Sequence, residues 1–172
     1  MFSLSNHQAK IANFNPRAEK HGEQNVMAGD LKIEVAVHSS QLDCFDSQLR
    51  PLLFRKADSG EQQSLIAGDD MTGLRVPQIG AIGWEEEFPG YTLTVPTPLG
   101  LEQPLVLEQV TLSKFSFEPI QGGAVKITFK ASCHPDTDQS GALCTLIQET
   151  VDLSLTPPSV PAVQQDDLKQ AA

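Results

Sequence analysis

The sequence predicts a mainly β fold: a single antiparallel β-sandwich or partly open barrel with one short helical segment. Several stretches alternate apolar and polar residues with a period of two, the signature of strands with one buried face. They are separated by turns rich in Gly and Pro, with little helical periodicity between them, which disfavours a parallel α/β arrangement. At 172 residues, 40% apolar and 20% charged, the chain is long enough for one core and too apolar to be mainly disordered.

Taken in order, Ala9 to Phe14 reads as a first short strand, ended by the turn-prone Asn15-Pro16. Gly29 to His38 alternates cleanly, with Leu31, Ile33, Val35 and Val37 on the buried side. Ser39-Ser40 are suited to capping, and Leu42, Phe45, Leu49, Leu52 and Leu53 then recur at helical spacing. Pro51 limits the segment from Gln41 to Leu53 to one or two short turns. Ala57 to Gly73 has the composition of a long exposed loop.

Beyond it, β-like runs fall at Leu74 to Pro77, Ala81 to Trp84, Tyr91 to Val95, Leu105 to Glu118, Gly123 to Ser132 and Glu149 to Thr156. The apolar phase changes between Val110/Leu112 and Phe115/Phe117, which predicts a bulge near Ser113-Lys114. Gln121-Gly122-Gly123 reads as a hairpin turn. Residues 1–156 form one β-rich domain in this reading, and the Pro-rich, polar stretch 157–172 is a disordered tail with no face to bury.

Charge is unevenly placed. Met1 to Lys56 holds 7 basic against 6 acidic residues, and Ala57 to Ala172 holds 5 against 16, so the net charge of -10 belongs to the later two thirds. Such a balance argues against a protein that coats DNA, because phosphate binding is driven by clustered Lys and Arg. A local basic face can still come from Arg17, Lys20, Arg50, Arg55 and Lys56, with Phe14 and His21 beside it to stack a base or pair with phosphate. The rival surface is Glu85-Glu86-Glu87, three carboxylates that suit a basic partner or imitate phosphate charge.

Cys44, Cys133 and Cys144 are an odd number without paired spacing, as expected for reduced thiols in a cytoplasm. No apolar run approaches a membrane span, and the start lacks a basic-then-apolar leader, so a cytoplasmic location is expected. Oligomeric state is open, since an edge strand can pair with a second copy.

Site motifs are sparse. Asp136-x-Asp138-x-Ser140-Gly141 opens like a calcium loop, but the closing carboxylate is missing, Ile147 standing in its place. A polar hairpin turn is the expectation. Cys133-His134 with Cys144, and Cys44 or His38, lack the short paired spacing of a zinc site. The sequence has no nucleophile elbow, zincin helix or phosphate-binding loop. No cofactor, metal or enzymatic activity is expected. Trp84, Phe88 and Tyr91 around Pro89-Gly90 read as rings at the edge of the core.

The stretch Phe14 to Glu23, with Ala28-Gly29-Asp30-Leu31, Leu49-Arg50-Pro51, Leu74-Arg75-Val76-Pro77, Gly122-Gly123 and Glu149 to Leu155, resembles a family of small, mostly uncharacterised proteins of temperate phages and prophages. Members lie near genes for single-strand annealing proteins and exonucleases. The resemblance spans roughly Phe2 to Pro157 and carries no functional residues with it. It implies an accessory role in phage DNA recombination or replication, in the cytoplasm of a bacterial host cell. The expected function is therefore non-enzymatic binding of single-stranded DNA or of a phage or host DNA-processing protein. The alternative is an acidic phage-encoded inhibitor that binds a host factor, DNA mimicry being one form of that binding.

Overall fold

Period-two alternation becomes a sheet only where its apolar face finds cover, and here the strands cover one another. A computed structural model describes residues 1–57, 71–96 and 104–159. Its strands are β1 (Leu4–His21), β2 (Gln24–His38), β3 (Phe54–Arg55), β4 (Gly73–Leu74), β5 (Ile82–Trp84), β6 (Phe88–Val95), β7 (Leu105–Ile120), β8 (Ala124–Cys133) and β9 (Thr150–Thr156). The helices are a 3-10 segment (Ser39–Cys44), α1 (Leu49–Leu53) and α2 (Thr137–Thr145).

The large sheet is antiparallel throughout, in the order β5-β7-β6-β9-β1-β2-β8, and β7 also pairs with β8. That last pairing turns the sheet into a closed ring of strands. Their inward side chains form one core: Ile11, Leu31, Ile33, Leu93, Leu112, Phe115, Phe117, Ile127, Phe129 and Leu153 are all fully buried. Each such side chain contributes roughly 1.5–3 kcal/mol relative to exposure. Phe2 adds an edge-on ring to Phe115 and Phe129.

Most sequence expectations for the strands hold. The bulge falls where the phase change placed it: between Ser113 and Ser116 the β7–β8 register slips, and Lys114 has φ 52°. Tyr91 is buried, and Trp84 and Phe88 are half-buried against the core. The helical segment is split into the 3-10 turn and α1, with Pro51 in the first turn of α1, where its missing N–H has no helical acceptor. The cap is one residue earlier than expected, since His38 Nδ1, not a serine, accepts from Ser40 N–H.

Four expectations are corrected. β1 does not stop at Asn15-Pro16; it continues to His21, paired to β2 along its length. Pro16 is tolerated because β9 accompanies β1 only as far as Lys10, leaving an open edge where no N–H is required. The Asp136 segment is not a hairpin turn but the start of α2. The Asp136 carboxylate accepts from Gln139 N–H at 2.7 Å while the Gln139 amide oxygen accepts from Asp136 N–H at 3.0 Å, a reciprocal cap. The run Leu74 to Pro77 yields only β4, which pairs with β3 in a separate small sheet. The long exposed loop falls mostly outside the described residues, but its end is docked: Thr72 is buried and its carbonyl accepts from Gly122 N–H. Residues 160–172 of the expected tail also lie outside the description, and Pro158 rests against Gly90.

Two positions show why glycine is needed. Gly22 takes φ 65° in the two-residue turn joining β1 to β2. Gly29 lies under the Phe14 ring, where an added Cβ would come 2.3 Å from Phe14 Cε2. Gly29→Ala should therefore cost about 1–3 kcal/mol in urea unfolding, and less when Phe14→Leu frees the space. An unchanged midpoint would refute this packing. Asp136→Ala should cost about 1 kcal/mol through the lost cap. Calcium chloride should leave the melting temperature unmoved, and a rise of several degrees at sub-millimolar calcium would mean that the α2 start is a cation site.

Candidate functional site

β8 last pairs with β2 at Gly29↔Cys133, but β1 and β2 run on together to His21↔Gln24. The result is a two-stranded arm, Arg17–His21 against Gln24–Ala28, extending past the barrel. α2 supports it from one face, where Ser140 Oγ donates to Met27 Sδ. On the other face a polar network crosses three strands. Arg17 bridges Asp30 at 2.5 Å and Glu19 at 2.7 Å; Ser132 Oγ donates to Asp30 Oδ1 at 2.7 Å, and Lys130 Nζ lies 3.7 Å from the same oxygen. His134 Nε2 reaches Glu19 Oε2 at 3.3 Å. An open groove of about 810 Å³ runs beside it, lined by Arg17, Val26, Met27, His134 and Pro135 among others.

Electrostatics follow from these contacts. Burial alone would raise the Asp30 pKa, but hydrogen bonds from Arg17 and Ser132 and the charge of Lys130 outweigh it, holding the carboxyl below its ordinary value. Glu19 is lowered by Arg17 and then by His134, and Arg17 is raised by Asp30 and then by Glu19. One carboxylate thus accepts from Arg17 on β1 and Ser132 on β8 while itself belonging to β2. The arrangement fixes strands in place and neutralises charge.

The sequence-predicted cations do not assemble. Arg17 is spent on two carboxylates, Lys20 is exposed near the tip of the arm, and His21 is the last residue of β1. Arg50, Arg55 and Lys56 belong to α1, β3 and the residue after it, at the opposite end of β2. From Ala28, opposite Arg17, to His38 is about 33 Å of strand at roughly 3.3 Å per residue. Arg50 is largely buried and donates to Ser39 Oγ at 3.2 Å, and Arg55 folds back on the Lys56 carbonyl at 3.0 Å. Phe14, expected to stack a base, is 5% exposed and packs in the core. The expected single basic face is thus divided between two ends.

Glu85, Glu86 and Glu87 are all exposed between β5 and β6. Among the described residues no ion pair reaches them; Glu86 accepts from Trp84 Nε1 at 3.2 Å. For metals, Cys133 is buried against the Gly29 carbonyl with its thiol pushed up to about 11 by burial. Cys144 is exposed on α2, and Cys44 follows β2 at the other end. No group of three metal-ligating side chains converges among the described residues. No helix among them is long and apolar enough to cross a membrane.

Sequence reasoning missed Asp30, Lys130 and Ser132, and weighed His134 only as a zinc ligand, not as the partner of Glu19. Asp30 and Ser132 meet across 102 residues of chain, and each alone reads as an ordinary polar position on a strand face. Compared with known proteins, the chain matches no family model, no curated protein and no solved structure.

The network predicts a pH response. A depressed carboxyl contributes stability that is present above its unfolded pKa, near 3.9, and lost as pH falls through its lower folded value. Asp30→Asn should cost about 1 kcal/mol at neutral pH and flatten the acid-side loss of stability below about pH 4. Parallel urea-stability curves for both proteins from pH 7 to the acid limit would show that Asp30 is not held down.

Proposed function

We propose that this chain is a non-enzymatic binding protein of phage DNA recombination or replication, acting in the bacterial cytoplasm, and that it engages a DNA-processing protein of the phage or its host rather than single-stranded DNA itself. One contrast carries the reading: Arg17, central to the expected cation set, is neutralised by Asp30 and Glu19, whereas Glu85, Glu86 and Glu87 stand exposed with no described ion pair. DNA-processing proteins present basic surfaces to phosphate, and an exposed run of carboxylates complements such a surface. Half-buried Trp84 and Phe88 flank the run and supply apolar contact area beside the charge. The phage setting rests on the sequence resemblance. A partner that is inhibited when held through its DNA-binding face would make the chain a DNA mimic, the second form of the same contact.

Fluorescence anisotropy with a single-stranded oligonucleotide should show no binding at 50 mM salt, a condition under which phosphate contacts are strong. A phage single-strand annealing protein, the kind of partner the resemblance implies, is the one to test. Its binding should weaken by about tenfold in a Glu85→Gln, Glu86→Gln, Glu87→Gln variant, and with added salt. Tight oligonucleotide binding by folded protein, or partner binding indifferent to the three substitutions, would overturn the proposal.

A further inference from the structure

The arm carries an open β-edge whose charge pattern is complementary to itself. Beyond Ile11 the second edge of β1 has no strand partner among the described residues, leaving Asn13 to His21 as a free edge. Which of its backbone groups face outward follows from the turn. His21 and Gln24 close a two-residue hairpin and so form a hydrogen-bonded pair. Every second residue back from there, Glu19, Arg17 and Asn15, also bonds to β2. The backbone groups of Lys20, Ala18 and Pro16 therefore face the open edge. The bulge between Ile11 and Asn13 agrees with this, since it reverses the phase and Ile11 on its far side bonds outward to Gln148 and Glu149.

We propose that this edge pairs with the same edge of a second copy, antiparallel about a two-fold axis through Ala18, joining two arms into a four-stranded sheet with a barrel at either end. In that register Ala18 exchanges backbone hydrogen bonds with the second copy's Ala18, and Lys20 N–H donates to the second copy's Pro16 carbonyl. Only the Pro16 nitrogens have nothing to give. Arg17 lies directly opposite the second copy's Glu19, and Glu19 opposite its Arg17. These are non-hydrogen-bonded positions, where facing side chains come closest, so opposite charges there favour this partner over an arbitrary strand. Both side chains are about one third exposed, at 36% and 33%, and lie on the same face as Asp30. The second copy's Glu19 would join an existing chain of charges. Pro16 on one side and the Gly22 turn on the other keep the pairing short and fix its register.

Sedimentation velocity on the full chain, up to about 200 µM, should show a reversible dimer. Glu19→Lys places Lys opposite Arg, and Arg17→Glu places Glu opposite Glu. Each alone should weaken self-association by about tenfold, while a mixture of the two should restore it as a heterodimer, because the pairs are then complementary again. A wild type that stays monomeric, or a Glu19→Lys variant that associates as well as wild type, would overturn the proposal. Should Arg17→Glu fail to fold beside Asp30, a cysteine pair decides. In a Cys144→Ser background Ala18→Cys should form a disulfide dimer, because the two Ala18 Cα atoms are about 5.5 Å apart in this register. Lys20→Cys should not, its two copies lying about 13 Å apart along the strands. Equal cross-linking of both would refute the register.

Discussion

β7 must hydrogen-bond along both edges while curving round the barrel, and it does so by giving up two residues to bulges. Gln109 and Lys114 take φ 54° and 52°, conformations that cost L-residues energy, and each marks a slip in register, against β6 at the first and β8 at the second. Each slip also resets the inward phase, so that Leu107, Val110, Leu112, Phe115 and Phe117 all reach the core. A regular strand of this length would turn part of its apolar set to solvent. The same bend lets β7 meet β6 and β5 on one edge and β8 on the other, and that closure gives every other inward face something to pack against.

Closure also explains what is left at the two ends. Opposite pairings of β2 and β8 carry the chain into the 3-10 turn and α1 at one end and into α2 at the other, and each cap inserts leucines, Leu42, Leu49 and Leu53 or Leu143 and Leu146. The β1–β2 hairpin is longer than the ring requires. Its surplus becomes the arm, anchored by Met27 on α2 and by the Arg17–Asp30–Ser132 network. Charge in this protein is thus unevenly engaged: cations near the arm hold strands together, while the carboxylates between β5 and β6 are exposed and without an ion pair among the described residues.

How much of this was legible in the sequence depended on how local the cause was. The alternation from Gly29 to His38, at Val125 to Ala131 and at Val151 to Leu155 was readable because one buried face imposes it residue by residue. The bulge at Lys114 was readable for the same reason, as a broken phase. Extension of β1 through Pro16 was not, because it depends on β9 ending early and leaving that edge open. The reciprocal cap at Asp136 and Gln139 was present in the sequence, but the same aspartates imitate the opening of a cation loop, and α2 has little amphipathic pattern to betray a helix. The polar network was invisible, since Asp30, Ser132 and Arg17 become neighbours only through strand pairing. The cation set failed for the converse reason: residues close in composition were placed at opposite ends by one long strand.

The pairing of Leu4 with Leu155 has a consequence for how the molecule is made. During synthesis the β1–β2 hairpin can form as soon as it emerges, since its contacts are local. The remaining edge of β1 and one edge of β6 must wait for β9, which is translated well over a hundred residues after β1. Until then the nascent barrel is a curled sheet with an apolar seam facing water. Closure is a late, non-local event that carries a large loop entropy, so folding should be slow for a domain of this size, and the open seam is the stage most exposed to aggregation or chaperone capture.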